Sequence, residues 1–206
     1  WVPLYESDLE TVKSEIATFF EVFPNATIWA NNLDGEGYDV VLLGQVEPTK
    51  IDMNALERRF ADPRYQSVGS SLIEVEFFSP LTLFATYAGS GADVKQWLQG
   101  ATINTDRNLR LQYLAGLGLN MNESDAVYAE ILKYRRFPAD LFAGSEHEIR
   151  ELRQRIELRD GRLATTVENA LELCGRLSSI PEVKLRLASK IWRPEFGPGR
   201  AVVDSD

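Results

Sequence analysis

The chain has 206 residues, of which 44% are hydrophobic and 26% are charged, as in ordinary globular proteins of one or two domains. Acidic residues number 31 and basic residues 22, and the net charge of −9 argues against binding to nucleic acid or to an anionic membrane surface. A single cysteine, Cys174, and a single histidine, His147, exclude an internal disulfide and a histidine-rich metal site.

No run of about 18 apolar residues is present, so no membrane insertion by this chain is predicted. The lone cysteine fits a reducing compartment, and we therefore predict a cytoplasmic protein. No residue is assigned as a metal ligand.

The first 47 residues predict a strand end, a helix and two strands. A capping box, Ser7-x-x-Glu10, precedes an apolar stripe that predicts a helix over 8–22. Strands are expected at 26–30 and 38–43, and the short polar turn between them favours an antiparallel pair. If the opening strand end belongs to a nucleotide-binding type of α/β sheet, the half of that sheet that holds the phosphates is expected to lie outside this sequence.

Beyond residue 47 the pattern is helical. Asp52 can cap a helix predicted at 53–61, and Ser79-Pro80 is typical of the start of a second helix, predicted at 80–88. A short helix is predicted at 92–98, and 64–78 is ambiguous between strand and helix. The chain is accordingly divided into an α/β segment (1–47), a helical extension (48–140), C-terminal helices (141–193) opened by the capping box Ser145-x-x-Glu148, and a flexible tail (194–206).

Several short motifs occur in a defined order along roughly residues 1–140. They are Glu6-Ser7, Phe23-Pro24, Trp29, the strand 38–43, Asn104-Thr105-Asp106, Leu111-Gln112-Tyr113 and the segment 134–138. This ordered series resembles the C-terminal part of polyamine aminopropyltransferases, the spermidine synthase family, of the bacterial type sometimes fused to a membrane region.

The resemblance implies a helix-rich α/β fold, the C-terminal edge of a Rossmann-like, methyltransferase-type sheet followed by an α-helical region. It implies aminopropyl transfer from decarboxylated S-adenosylmethionine to a diamine in the intact parent. It places a polyamine-binding wall at Tyr5, Glu6, Phe23, Trp29, Asn104 and Asp106. The implied partners are the missing N-terminal half or a second copy of the chain.

The sequence also departs from the family pattern. The glycine-rich loop, the ribose-binding acid and the central aspartate motif are absent from these 206 residues, so no catalytic residue is assigned and no cofactor is expected to bind. Leu4 replaces a glutamine, Tyr5 replaces a glycine, and Gln112 replaces a glutamate. We therefore predict that this chain alone is inactive.

Each candidate residue also has an ordinary structural interpretation. Phe23 and Trp29 have the spacing of core residues. The Glu6 carboxylate can interact favourably with the dipole at a helix N-terminus. Asn104 and Asp106 can cap a helix. His147 is expected on a solvent-exposed helix face, and Cys174 is expected on an apolar helix face. The alternative function is a helical protein-interaction or structural module without catalytic activity, which docks through an open sheet edge and apolar faces.

Overall fold

The computed structural model describes residues 1–33, 36–114, 116–117 and 123–157, which belong to one compact unit. The predicted tail 194–206, most of the predicted helices of 141–193, and Cys174 lie outside the described residues. The chain is a mixed α/β protein with a small, mostly antiparallel sheet. Within the described ranges, no helix combines the length and apolar character needed to cross a membrane.

Helices and short strands alternate along the described chain. The strands are β1 (Val2–Pro3), β2 (Thr27–Leu33), β3 (Glu36–Leu43), β4 (Ile51–Asp52), β5 (Tyr87–Ser90) and β6 (Phe142–Ala143). The helices are α1 (Leu9–Val22), α2 (Met53–Ala61), α3 (Gln66–Glu74), α4 (Pro80–Phe84), α5 (Gly91–Val94), α6 (Arg110–Leu114), α7 (Ser124–Leu132) and α8 (Glu146–Glu157), with a 3₁₀ turn at Pro63–Tyr65.

The main sheet has the strand order β1-β3-β2-β5, and every neighbouring pair is antiparallel. Strand β3 lies between β1 and β2 and is antiparallel to both. Strands β1 and β2 are therefore parallel to each other, and α1 connects them. Val40 is the central residue of one row, paired with Val2 on one side and Ala30 on the other. Strands β4 and β6 form a separate parallel pair.

One face of the main sheet is covered by α1 and α7. Val12 and Ile16 of α1 are fully buried against Ile28 of β2 and Val40 of β3. The helical spacing of the α1 residues and the alternation along the strands bring these side chains into one core. Burying each such aliphatic side chain contributes about 1.5–3 kcal/mol to stability.

A second core lies beyond β5, where α4, α8 and the β4–β6 pair meet. Its fully or nearly buried members are Met53, Tyr87, Phe142, Leu152 and Ile156. The capping box predicted at the start of α8 is present, since the Glu148 carboxylate accepts hydrogen bonds from the Ser145 amide at 2.7 Å and from its hydroxyl at 2.6 Å.

Tyr87 gives the second core a titratable group. Its hydroxyl is buried and donates to Asp93 Oδ2 at 3.0 Å, and burial, with a further contribution from the Asp93 charge, raises the pKa of Tyr87 well above its ordinary value. The folded protein therefore keeps a proton that the unfolded chain releases above about pH 10.

We expect the stabilising contribution of the Tyr87 proton to be complete below pH 10 and to decline as the pH rises further, by up to about 1.4 kcal/mol per pH unit. Urea unfolding at pH 9, 10 and 11 measures this loss. Tyr87→Phe should show a shallower decline, whereas Tyr113→Phe, at an exposed position, should follow the parent. Identical slopes for Tyr87→Phe and the parent would contradict the assignment.

The structure corrects three sequence predictions. The N-cap of α1 is Asp8, whose Oδ1 accepts from the amides of Glu10 and Thr11 at 2.8 and 2.9 Å, and Ser7 is buried instead. The predicted helix 80–88 ends at Phe84, because Tyr87 begins a strand that pairs with β2. The predicted turn 31–37 is shorter, since β2 continues to Leu33 and β3 begins at Glu36.

The other helix predictions have mixed outcomes. Helices 8–22 and 53–61 are confirmed, the second with the predicted Asp52 cap on the Ala55 amide at 3.0 Å. The ambiguous segment 64–78 contains the helix α3. Of the helix predicted at 92–98, only the one-turn helix α5 (Gly91–Val94) forms, and a series of turns follows it.

Candidate functional site

The carboxyl end of β1 brings sequence-distant polar and aromatic side chains together. Pro3 pairs with Asp39, and the Leu4 amide donates to the Tyr38 carbonyl at 3.1 Å. The end of β1 therefore lies beside the start of β3.

Three aromatic rings surround this edge. Tyr5 stacks on Tyr38 with centroids 4.7 Å apart and planes 28° apart, and the Trp1 ring lies 6.2 Å from Tyr5. Trp1 is 64% exposed, and its indole N–H donates to Asp39 Oδ2 at 2.5 Å. The three rings present π faces of the kind that attract cations.

Asp39 is the most unusual residue of the cluster. It is only 3% exposed, its Oδ2 accepts from Trp1, and its Oδ1 has no hydrogen-bond partner. No lysine, arginine or histidine among the described residues forms an ion pair with it. An unsatisfied buried carboxylate oxygen is costly, so this position favours a cationic hydrogen-bond donor.

The surroundings of the Tyr5 hydroxyl in this cluster raise its pKa, chiefly through burial. Partial burial, the neighbouring Tyr38, and the charges of Asp39 and Glu6 all raise the pKa of Tyr5. Two carboxylates therefore act on the same hydroxyl, which stays protonated at neutral pH and can donate a hydrogen bond.

Glu6 occupies a strained backbone position beside the ring cluster. It is exposed and has a φ of 51°, in the left-handed region that non-glycine residues rarely adopt. This conformation redirects the chain from β1 into α1, whose cap is Asp8. Such strain recurs where side chains are held for function.

Trp29 lies on the same sheet face as Asp39. The register pairs Trp29 with Val41, two residues along β3 from Asp39. The Trp29 ring itself packs edge-on against Phe84 and Tyr87, each with centroids 5.6 Å away. Trp29 is therefore a half-buried residue that packs against the second core and borders the candidate site.

Phe23 does not join the cluster. It follows the far end of α1 and packs on Phe19 at 4.9 Å. Since α1 covers the sheet face opposite to Asp39, Phe23 and Trp29 do not line a common hollow.

Asn104 and Asp106 also lie away from the Tyr5–Asp39 cluster. The Asn104 amide donates to Thr18 Oγ1 at 2.8 Å, and its side-chain oxygen accepts from the Leu111 amide at 3.0 Å. Through these two hydrogen bonds Asn104 holds its loop to α1 and to the first turn of α6, as a capping residue does. Asp106 is exposed in the same loop.

Sequence reasoning missed Trp1, Tyr38 and Asp39 as members of the site. The signal for Asp39 was a lone carboxylate inside the otherwise apolar strand 38–43, which is rarely tolerated without a partner. Its relation to Trp1 depends on the β1–β3 register, which no local pattern specifies.

The described residues contain no group of three or more histidine, cysteine, aspartate or glutamate side chains able to hold a metal ion. His147, on the first turn of α8, is exposed there. Comparison with protein-family models, with curated proteins and with solved structures finds no match to this chain.

Proposed function

We propose that this chain is the C-terminal part of a spermidine synthase-like protein and that the carboxyl end of β1 is the acceptor-amine side of its site. In the intact parent, the acceptor would receive an aminopropyl group from decarboxylated S-adenosylmethionine. The observation that carries the proposal is the buried Asp39 carboxylate, which accepts from the indole N–H of Trp1 through one oxygen and lacks a donor to the other.

The strand arrangement supports the proposal. Within residues 1–43 a strand, a helix, a parallel strand and an antiparallel strand follow one another as the family resemblance implies, and β5 adds a further antiparallel strand beside β2. Among the described residues β1 has no neighbour on the side away from β3, and a Rossmann-like, methyltransferase-type sheet would continue there. The motif order along residues 1–140 agrees with the same assignment.

An aliphatic diamine fits the chemistry of this face. One ammonium group would donate to Asp39 Oδ1 and replace the indole N–H of Trp1 as donor to the carboxylate. Trp1 is mostly exposed, so its ring can move aside without opening the core. The methylene chain would lie over the exposed side chain of Val41, and Glu6 supplies a second negative charge.

The role of this chain in the transfer would be to bind and orient the amine. The acceptor nitrogen must be neutral when it attacks the methylene next to the sulfonium, and the leaving group is the thioether. The electrophile is already activated, so positioning of the amine supplies much of the rate. No residue of this chain is assigned to proton transfer, and the nucleotide would be held elsewhere in the parent.

Titration of the ¹⁵N-labelled chain with 1,4-diaminobutane tests the proposal. We expect saturable shifts of the amides around Tyr5 and Asp39, with weaker binding of 1-aminobutane, which has a single charge. Asp39→Asn keeps the shape but removes the charge, and it should raise the dissociation constant at least about tenfold, the equivalent of one charge-assisted hydrogen bond.

Asp140→Asn is the matched control, because Asp140 is exposed and distant in sequence from β1 and β3. It should bind the diamine as the parent does. Equal affinity of Asp39→Asn and the parent, or shifts confined to other regions, would refute the amine site. Calorimetry should detect no binding of decarboxylated S-adenosylmethionine, and micromolar binding would contradict the assignment of the nucleotide site to another part of the parent.

A second candidate is an interaction module without catalytic activity. The specific observation in its favour is an exposed apolar group, Trp1, Val41 and Leu43, on the sheet face beside the open edge of β1. Exposed patches of this kind mark surfaces that another chain covers. The diamine titration discriminates, since a docking module has no reason to bind a diamine through Asp39.

A further inference from the structure

A cavity lined mainly by arginines lies where α2 ends. Its volume is about 380 Å³, which is in the range of pockets that hold small molecules. Three guanidinium groups and one carboxylate line it, so its net charge is positive although the net charge of the chain is −9. The lining residues come from α2 and from the 3₁₀ turn that follows it, and they are Ala55, Arg58, Arg59, Asp62, Arg64 and Tyr65.

An ion pair within the cavity orients one of the arginines. Arg64 donates from Nε to Asp62 Oδ1 at 3.1 Å and from Nη2 to Asp62 Oδ2 at 2.6 Å. The backbone amide of Arg64 donates to the same carboxylate at 2.9 Å. A guanidinium group has five N–H donors, so this pairing leaves those of Nη1 available to a ligand. The orientation is set before a ligand arrives, which reduces the entropy cost of binding.

The other two arginines of the cavity have no carboxylate beside them. Arg58 and Arg59 lie exposed in the last turn of α2, and neither forms an ion pair among the described residues. The negative end of the α2 dipole favours cations at this position. Arg64 lies beyond the end of α2, however, so the dipole does not account for three arginines around one cavity.

We propose that this cavity binds a small, soluble molecule that carries two or more phosphate charges. The planar guanidinium group donates paired hydrogen bonds to phosphate oxygens, and a pyrophosphate group offers enough oxygens for several arginines at once. Tyr65 is 42% exposed, and its hydroxyl supplies a neutral donor at the same cavity. This site is separate from the proposed amine site, and the inference does not depend on the proposed function.

The charge of the rest of the chain favours a small ligand over a charged surface or polymer. A net charge of −9 opposes approach to an anionic membrane and to nucleic acid, both of which present negative charge over a wide area. A small phosphate compound contacts only the arginine-lined cavity and meets little of this repulsion, which salt screens over about 10 Å.

Titration of the ¹⁵N-labelled chain with sodium pyrophosphate at constant ionic strength tests the site. We expect saturable shifts of the amides of residues 55–65. Arg58→Gln/Arg59→Gln should raise the dissociation constant at least about tenfold, because charge-assisted hydrogen bonds are lost. Arg58→Lys/Arg59→Lys keeps the charge but not the paired donors, so its affinity should fall between that of the parent and that of the glutamine variant.

Arg107→Gln/Arg136→Gln is the matched control, because it removes two exposed positive charges that do not line the cavity. It should bind pyrophosphate as the parent does. The arginines changed in all three variants are exposed, and circular dichroism should show unchanged folding. Absence of saturable shifts in the parent, or equal affinity of the Arg58/Arg59 glutamine variant and the control, would overturn the proposal.

Co-sedimentation with vesicles that contain a phosphorylated phosphatidylinositol distinguishes a soluble phosphate from a lipid headgroup. We expect the chain to stay in the supernatant. Retention on these vesicles without binding of pyrophosphate would show that the cavity recognises a membrane lipid, and the assignment of a soluble ligand would then be wrong.

Discussion

Gly37→Ala is expected to lower the stability of the protein by about 3 kcal/mol, at the upper end of the cost of overpacking a core. A β-carbon at position 37 would lie 2.3 Å from the Tyr128 β-carbon and 2.7 Å from its ring. Tyr128 is buried in the main core, so it has no free space to enter. Helix α7 would have to move away from β3.

Thermal unfolding followed by circular dichroism measures this effect. A loss of about 3 kcal/mol corresponds to a melting temperature lower by about 6–12 °C in a protein of this size. Gly69→Ala is the matched control, because a β-carbon there meets nothing within 4 Å and alanine favours the helix by up to about 1 kcal/mol. If both alanine variants melted alike, the close approach of α7 to β3 would be wrong.

Trp29→Ala is expected to lower the free energy of unfolding by about 2–3 kcal/mol, less than the cost for a fully buried aromatic, because Trp29 is half-buried against the second core. The ring packs against Phe84 and Tyr87, and its indole N–H donates to Thr27 Oγ1 at 2.8 Å. Its loss leaves a void where the sheet meets the second core. Urea unfolding monitored by circular dichroism gives the free energy without reliance on tryptophan emission.

Trp29→Phe separates packing from ligand contact. It retains an aromatic ring and loses one hydrogen bond, so it should cost only about 1–2 kcal/mol. If Trp29 only packs against the second core and does not contact the ligand, this variant should bind 1,4-diaminobutane with the same affinity as the parent. A stable Trp29→Phe variant that loses diamine binding would place Trp29 in the amine site after all.

The elements with strong local patterns were predictable from the sequence. Three local signals in the sequence are present in the structure: the apolar stripe of α1, the Asp52 cap of α2 and the capping box Ser145-x-x-Glu148. Strand β5 was missed because its four residues follow a helix start at Ser79-Pro80, and only pairing with β2 makes them extended. Tertiary contact overrides local preference there.

The candidate site was predictable in part. Tyr5 and Glu6 were identified from the family resemblance and lie at the centre of the cluster, whereas Asp39 and Trp1 meet only through the register of β1 on β3. Phe23 was assigned to the same wall from motif order. It lies at the other end of α1 because a helix of 14 residues separates it from Asp8 by about 21 Å.

The position of β3 between β1 and β2 has a consequence for how the protein assembles. Among the described residues β1 finds its only sheet partner in the third strand of the series, not in the strand that follows α1. The β2–β3 pairing is local in sequence, whereas the pairing of β1 with β3 closes a longer loop of chain and costs more conformational entropy. Val40 pairs with Val2 on one side and with Ala30 on the other, so it links β1 to the rest of the sheet.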